Sequence, residues 1–176
     1  KNCISDEQTG NGIPTTGLRF FTVYGPWGRP DMAPMIFAKA ILSDQKIDVF
    51  NNGQMSRDFT YIDDIVDGVL GVIDKPATPN VDFDPLAPEP SSSKAPFKVF
   101  NIGKGNPTSL MSFIGVLENV LGKKAQINML AMQPGDVPAT AADVLAIHQW
   151  SGFQPKIGIQ DGVAKFAEWY LDYYGM

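Results

Sequence analysis

The sequence predicts a globular protein of the α/β or α+β class, and three observations carry that expectation. Short apolar runs of strand length alternate with stretches of helical spacing along most of the 176 residues. The run Gly17 to Tyr24, GLRFFTVY, is apolar almost throughout rather than alternating, as in a strand covered on both faces of a parallel sheet. Apolar residues make up 44% of the chain and charged residues 19%, which suits one domain with a sizeable core and not a disordered chain.

The elements follow in order. Gly25-Pro26 ends the first strand, and MAPMIFAKAIL, Met32 to Leu42, has the spacing of a helix. Ile47 to Phe50 reads as a short strand closed by the turn Asn51-Asn52-Gly53. Asp58 to Ile62 is extended. Asp63 or Asp64 is then expected to cap a helix reaching Asp74, with Ile65, Val66, Val69, Leu70 and Ile73 inward and Pro76 as its stop. Residues 77–96 are rich in proline and carry three consecutive serines, so an exposed, variable loop is expected there. Lys98 to Ile102 is a strand. Ser109 to Leu121 is a helix with Leu110, Phe113, Ile114, Leu117, Val120 and Leu121 inward and Gly122 as its stop. A strand at Ala125 to Leu130 and helices at Ala141 to Trp150 and Gly158 to Tyr174 complete the series. The aromatic cluster Phe166, Trp169, Tyr170, Tyr173 and Tyr174 has near-helical spacing and reads as a packing face.

Several function classes are excluded or disfavoured. The net charge of −5, without a basic run, argues against nucleic-acid binding. No apolar stretch approaches the roughly 20 residues of a membrane helix, and no signal peptide is visible, so a cytoplasmic protein without membrane attachment is expected. Cys3 is the single cysteine, which forbids an intrachain disulfide. His148 is the single histidine. It lies in a predicted helix beside Trp150 and reads as structural, and no metal site is expected.

NIGKGNPTSL, Asn101 to Leu110, places Gly103 and Gly105 between a strand and a helix, in the first two positions of a dinucleotide fingerprint. The third glycine is replaced by Thr108, and no acidic residue ends the next strand at Met129-Leu130-Ala131. The stretch reads as a glycine turn into a helix capped by Thr108 or Ser109, with a phosphate cradle as the competing reading.

Four motifs carry more. LRFFTVYGPWGRPDM (Leu18 to Met32), NNGQMSRDFTYIDDIVDGV (Asn51 to Val69), NIGKGNPTSL and QPGDVPATAAD (Gln133 to Asp143) occur in this order. Together they resemble the C-terminal half of extended short-chain dehydrogenase/reductases, in particular the NAD-dependent nucleotide-sugar 4-epimerases acting on UDP-glucuronate. The resemblance covers about residues 13–174. It implies an α/β fold made of the last strand or strands of a Rossmann sheet plus a small α/β substrate-binding domain, with a UDP-sugar as partner.

The resemblance also assigns residues. The position of Arg57 binds the diphosphate in the family, and a guanidinium matches two phosphate oxygens; a surface pair with Asp58 or Asp63 is the alternative. Arg29, in a Gly/Pro loop after the first strand, matches an Arg near the sugar carboxylate; a loop salt bridge with Asp31 competes. Both guanidinium groups are expected to face one pocket. Thr22 matches a position facing sugar or diphosphate, and Phe21 a backbone contact to the nicotinamide end of NAD, although both also suit a buried strand. Met32, Val49 and Phe50 match positions around the uridine, the latter two through backbone groups, against plain core packing. Gln133 stands where many relatives have a phosphate-binding Arg, and it brings no charge. Asp136 matches an acceptor of a ribose hydroxyl or serves as a turn cap, and Thr140 follows it.

The same resemblance exposes a gap. These enzymes carry a Gly-rich NAD fingerprint and a catalytic Tyr-x-x-x-Lys, and no tyrosine here is followed by lysine at the fourth position. Residues 1–12, KNCISDEQTGNG, do not match the family and are expected to be a foreign leader, a tag or artefact, ahead of a substrate-binding region at 13–176. The expectation is a C-terminal fragment of an NAD-dependent epimerase. It would lack catalytic residues, bind no NAD of its own and be inactive alone. A fragment of a dehydratase, decarboxylase or reductase of the same superfamily, or a non-catalytic UDP-sugar-binding module, is the alternative. The apolar run Gly17 to Tyr24 without its neighbours is expected to drive self-association.

Overall fold

The computed structural model describes residues 12–176. The expected leader falls almost wholly outside them. The first apolar run forms two strands instead of one: β1 (Thr15–Phe20) and β2 (Thr22–Tyr24), broken at Phe21. β1 pairs in parallel with β6 (Phe97–Ile102), and β2 pairs in parallel with β5 (Phe59–Tyr61). The break lets one chain segment serve two sheets. Phe21 holds the corner with both backbone groups engaged, donating to Ile102 O at 3.2 Å and accepting from Val23 N at 3.0 Å. Burial at both faces is not realised along β1, where Phe20 is exposed and Leu18 half-buried.

Two more pairs complete the strands among the described residues. β3 (Lys46–Val49) runs parallel to β8 (Gln126–Met129), and the short β4 (Ser56–Arg57) runs antiparallel to β7 (Thr108–Ser109). Among the described residues five α-helices surround them: α1 (Ala33–Leu42), α2 (Ile62–Ile73), α3 (Leu110–Leu121), α4 (Leu145–Ser151) and α5 (Ile159–Tyr174). The segment from 77 to 96 has no helix or strand, as its prolines dictate.

The main core gathers α1, β3, β5, α3 and α5 around Ile41, Val49, Phe113, Leu117, Val163 and Phe166. Phe59 and Phe113 stack at 4.3 Å, and Tyr24 meets both rings edge-on. α3 follows its sequence closely, except that Val120, expected inward, is exposed near the end of the helix. The Ser109 side chain accepts from Ser112 N at 3.0 Å, and Gly122 ends the helix in the left-handed conformation. A second, smaller core joins α2, β6 and α4 through Ile65, Val72, Phe100, Ile102 and Ile147.

α2 departs from expectation. Neither Asp63 nor Asp64 caps it; Tyr61 is the N-cap residue. Asp64 turns inward, fully buried, and accepts from Lys156 N at 2.9 Å and Ile157 N at 3.0 Å. The inner face is therefore Asp64, Ile65, Gly68 and Val72, while Val66, Leu70 and Ile73 lie exposed. α4 starts at Leu145, four residues later than its pattern suggests. Asp143 Oδ1 accepts from Leu145 N at 3.0 Å, and the backbone before it is committed elsewhere. Of the α5 aromatic face, Phe166 and Tyr170 are buried, whereas Tyr173 and Tyr174 are about half exposed. Among the described residues no helix is long and apolar enough to cross a membrane.

Candidate functional site

Asp58 organises the centre of the molecule. Its carboxylate is fully buried and accepts from three backbone amides: Lys104 N to Oδ1 at 2.8 Å, Gly105 N to Oδ2 at 2.9 Å and Ala142 N to Oδ2 at 2.8 Å. Successive amides with the second residue at φ +70°, as at Lys104-Gly105, form a concave anion nest. The glycine turn does cradle an anion, but the anion is a side chain of the same protein. Gly103 has to be glycine for this approach, since a Cβ there would meet Ala142 Cβ at 2.8 Å and Asp58 Oδ2 at 3.1 Å. The nest is filled, so this loop does not fit the pyrophosphate of a dinucleotide.

The same residue fixes its neighbours. Asp58 O accepts from Thr22 N at 3.1 Å, which seats the first residue of β2. Ser56 N donates to Pro138 O at 2.9 Å, and Thr140 N to Ser56 O at 3.2 Å, which stitch the segment from Gln133 to Thr140 along β4. A tight turn, with Gly135 at φ +87° and Asp136 N donating to Gln133 O, brings Asp136 back over the strand.

Arg57 stands between these supports. One guanidinium nitrogen donates to Ser56 O at 2.9 Å and to Pro138 O at 3.4 Å. The other faces Asp136 Oδ1 at 3.8 Å, close enough for attraction and too far for a hydrogen bond. The Arg57 side chain is largely shielded from water, and that of Asp136 is about a third exposed.

Arg57 and Asp136 line a pocket of about 490 Å³ together with Thr22, Met32, Phe50, Lys46, Asp31 and Asp48. Its apolar wall comes from α1 and β5, including Ile36, Phe37 and Phe59. The size and the mix of apolar wall with few charged groups suit a drug-sized polar ligand. Of the residues singled out from the sequence, Thr22, Met32, Phe50, Arg57 and Asp136 come together here. Val49 is sealed in the core, and its carbonyl accepts from Leu130 N at 2.9 Å. Gln133 lies exposed in the turn, and Thr140 is held by its backbone alongside Ser56.

Arg29 forms the loop salt bridge with Asp31 that was its alternative role, and it is not among the residues lining the pocket. Its guanidinium is exposed and pairs with Asp31 through two nitrogens, Nε at 3.1 Å from Oδ1 and Nη2 on Oδ2. This hydrogen bond holds the Asp31 carboxyl below the usual carboxylate range and raises the guanidinium. Asp31 lines the pocket while Arg29 stands off from it. The physical reason lies two residues earlier. Trp27, at φ +61°, packs on Trp169 at 5.5 Å and Tyr173 at 5.1 Å and so ties the loop to the end of α5.

Sequence reasoning missed Lys46, Asp31 and Asp48 as pocket residues. Lys46 forms no salt bridge among the described residues, and Asp48 accepts from Asn128 Nδ2 at 2.7 Å. The alternation in β3 was the available signal: Lys46 and Asp48 point away from the core that holds Ile47 and Val49. His148 Nδ1 lies 3.1 Å from Phe153 O at the end of α4. Among the described residues no cluster of three or more His, Cys, Asp or Glu stands ready for a metal.

Known proteins with this pattern are numerous. A family model described as the NAD dependent epimerase/dehydratase family matches residues 3–85. The chain is 56% identical to Protein CapI of Staphylococcus aureus over 162 residues, covering 92% of this chain and 48% of that protein. It is 46% identical to a probable UDP-glucuronate 4-epimerase of Rhizobium meliloti, covering 92% and 48%. A crystal structure of UDP-glucuronic acid 4-epimerase from Bacillus cereus in complex with UDP-glucuronic acid and NAD superposes with a TM-score of 0.77 at 31% identity, covering 95% of this chain and 48% of that one. The chain spans about half the length of the curated relatives it matches.

Proposed function

This chain belongs to the NAD dependent epimerase/dehydratase family, and from that premise we propose that it supplies the substrate-gripping part of a cytoplasmic UDP-glucuronate 4-epimerase. The observation that carries the reading is the pocket in which Arg57, held by two backbone carbonyls, presents its remaining nitrogens beside Thr22 and Asp136. A guanidinium immobilised by neutral acceptors keeps its full charge for a ligand anion and loses little freedom on binding it. Thr22 offers a hydroxyl, and Met32 and Phe50 offer apolar surface to a base.

In this reading Arg57 and Lys46 neutralise the diphosphate, Asp136 accepts from a sugar hydroxyl, and Arg29 swings from Asp31 to the uronate carboxylate. Phe21, Val49, Gln133 and Thr140 act through backbone groups or support. Hydride transfer belongs to the NAD that the relatives' structures hold. The glycine turn of this chain, filled by Asp58, gives that cofactor no cradle. No turnover by this chain alone is expected. A second reading, a UDP-sugar-binding module without chemistry, draws on that same filled turn.

Isothermal titration of the full chain with UDP, UDP-glucuronate and UDP-glucose tests the proposal. UDP is expected to bind, and Arg57→Ala to weaken it about 10- to 100-fold, the loss of one or two charge-assisted hydrogen bonds. UDP-glucuronate should bind more tightly than UDP-glucose. No heat with any of the three, or an Arg57→Ala variant equal to the parent, overturns it.

A further inference from the structure

The loop between β2 and α1, residues 25–31, carries Arg29 and the pocket residue Asp31. Among the described residues its hydrogen bonds stay local. Gly28 N donates to Gly25 O at 3.2 Å, Met32 N to Arg29 O at 3.1 Å, and the Arg29 guanidinium to Asp31. The middle of the loop reaches the rest of the molecule through the ring of Trp27, which stands edge-on to Tyr173 and tilted on Trp169 at the end of α5. Those two rings stack on each other at 5.3 Å, so the platform does not need Trp27. Two features mark this tie as releasable. The Trp27 ring stays 75% exposed, so little apolar surface is lost to water when it leaves. Its backbone is left-handed, at φ +61°. The other non-glycine residues with positive φ among the described residues are Asp44, Asn51 and Asn52, whose short polar side chains tolerate it; a bulky indole does not. Strain of this kind persists while contacts impose it.

We propose that Trp27 is a clasp that holds the 25–31 loop open against the aromatic end of α5, and that a ligand whose sugar carries a carboxylate releases it. This rests on the reading of the pocket given above and names the device that regulates its sugar end. Gly28 alone separates Trp27 from Arg29, so Arg29 cannot travel to the pocket without pulling on the clasp. Gly25, at φ +144° and pressed on Ile62, is the fixed pivot, since a Cβ there would meet Ile62 Cγ2 at 2.5 Å. Release exchanges the ring contacts for relief of the left-handed strain and for the charge pair that Arg29 makes with the ligand. The coupling runs both ways. A ligand that draws the loop inward loosens the clasp, and a weakened clasp favours that ligand. A nucleoside diphosphate without the carboxylate has no purchase on Arg29 and leaves the loop where it is.

The test joins near-UV circular dichroism of the full chain, which reads the adjacent Trp27 and Trp169 rings, to calorimetric titration with UDP and UDP-glucuronate. UDP-glucuronate should change the aromatic band, and UDP should leave it as it is. Tyr173→Ala removes half of the platform from an exposed site outside the pocket. It should tighten UDP-glucuronate about two- to tenfold, the worth of one aromatic pair, with UDP affinity unchanged. Tyr173→Phe keeps the ring and should behave as the parent. An aromatic band unmoved by UDP-glucuronate that the calorimeter shows to bind, or moved equally by UDP, overturns the clasp while leaving the pocket reading in place. So does UDP-glucuronate affinity unchanged or weakened in Tyr173→Ala, or a Phe variant that shifts as Ala does. A parent chain that binds neither ligand overturns both.

Discussion

Removing the Asp58 carboxylate should cost this protein a large share of its stability. The carboxylate is fully buried and receives three amide hydrogen bonds at 2.8–2.9 Å. Asp58→Ala leaves the N–H groups of buried Ala142 and of the less shielded Lys104 and Gly105 without their acceptor, at about 1–3 kcal/mol each, offset by the desolvation that the buried charge no longer requires. A net loss of about 3–5 kcal/mol follows, a large share of a typical 5–15 kcal/mol total. In a chain of this length that corresponds to a fall in Tm of about 6–20 °C. Asp58→Asn is milder. Its carbonyl serves Gly105 and Ala142, and its amide then opposes the Lys104 N–H, for a loss of about 2–4 kcal/mol. Urea unfolding of parent and both variants measures this directly, with Ala below Asn below parent and an unchanged m-value. Variants within 1 kcal/mol of the parent would refute the reasoning, because amides so easily resatisfied were never held by Asp58.

Two other outcomes are expected. Burial raises the Tyr24 phenol far above its ordinary value and raises Tyr61 and Tyr170 as well. The unfolded chain then gives up these protons first, from about pH 10, so stability is full below that pH and falls as pH rises past it. Urea midpoints at pH 8 and pH 10.5 check the sign, and Tyr24→Phe should flatten the dependence. The edge of β1 away from β6 has no partner among the described residues, and Phe20 and Ile13 are exposed beside it. Concentration-dependent self-association is expected by light scattering after size exclusion, reduced by Phe20→Lys; a clean monomer at high concentration contradicts it.

What the sequence disclosed depended on whether the signal was local. α3 was legible from cap to stop because Ser109, the 3.6-residue apolar spacing and Gly122 all act within one helix. The roles of Asp58 and Asp64 were not legible. Each is an internal acceptor for amides 46 to 93 residues away in sequence, and a carboxylate beside a helix start looks like a cap. That mistake shifted the inner face of α2: Ile65 and Val69 pack inward as expected, but apolar spacing cannot anticipate that Asp64 and Gly68 face inward while Val66, Leu70 and Ile73 face out. The split at Phe21 was hidden because an apolar run carries no mark of a change of partner strand. For the pocket, the motif residues of the chain's irregular turns were found by resemblance. Lys46 and Asp48 were passed over because charged residues on the outer face of a strand are ordinary until a cavity is seen there.

In the proposed function, the cleft between α1, β3 and the Arg57 strand receives the nucleotide end of the substrate. Amide chemical shifts of the 15N-labelled chain, recorded as UDP is added, test it residue by residue. Saturable shifts concentrated at Thr22, Asp48, Phe50, Arg57 and Asp136 are expected, with α4 and the 77–96 segment unmoved. Shifts confined to those latter regions, or none at millimolar UDP, would contradict it.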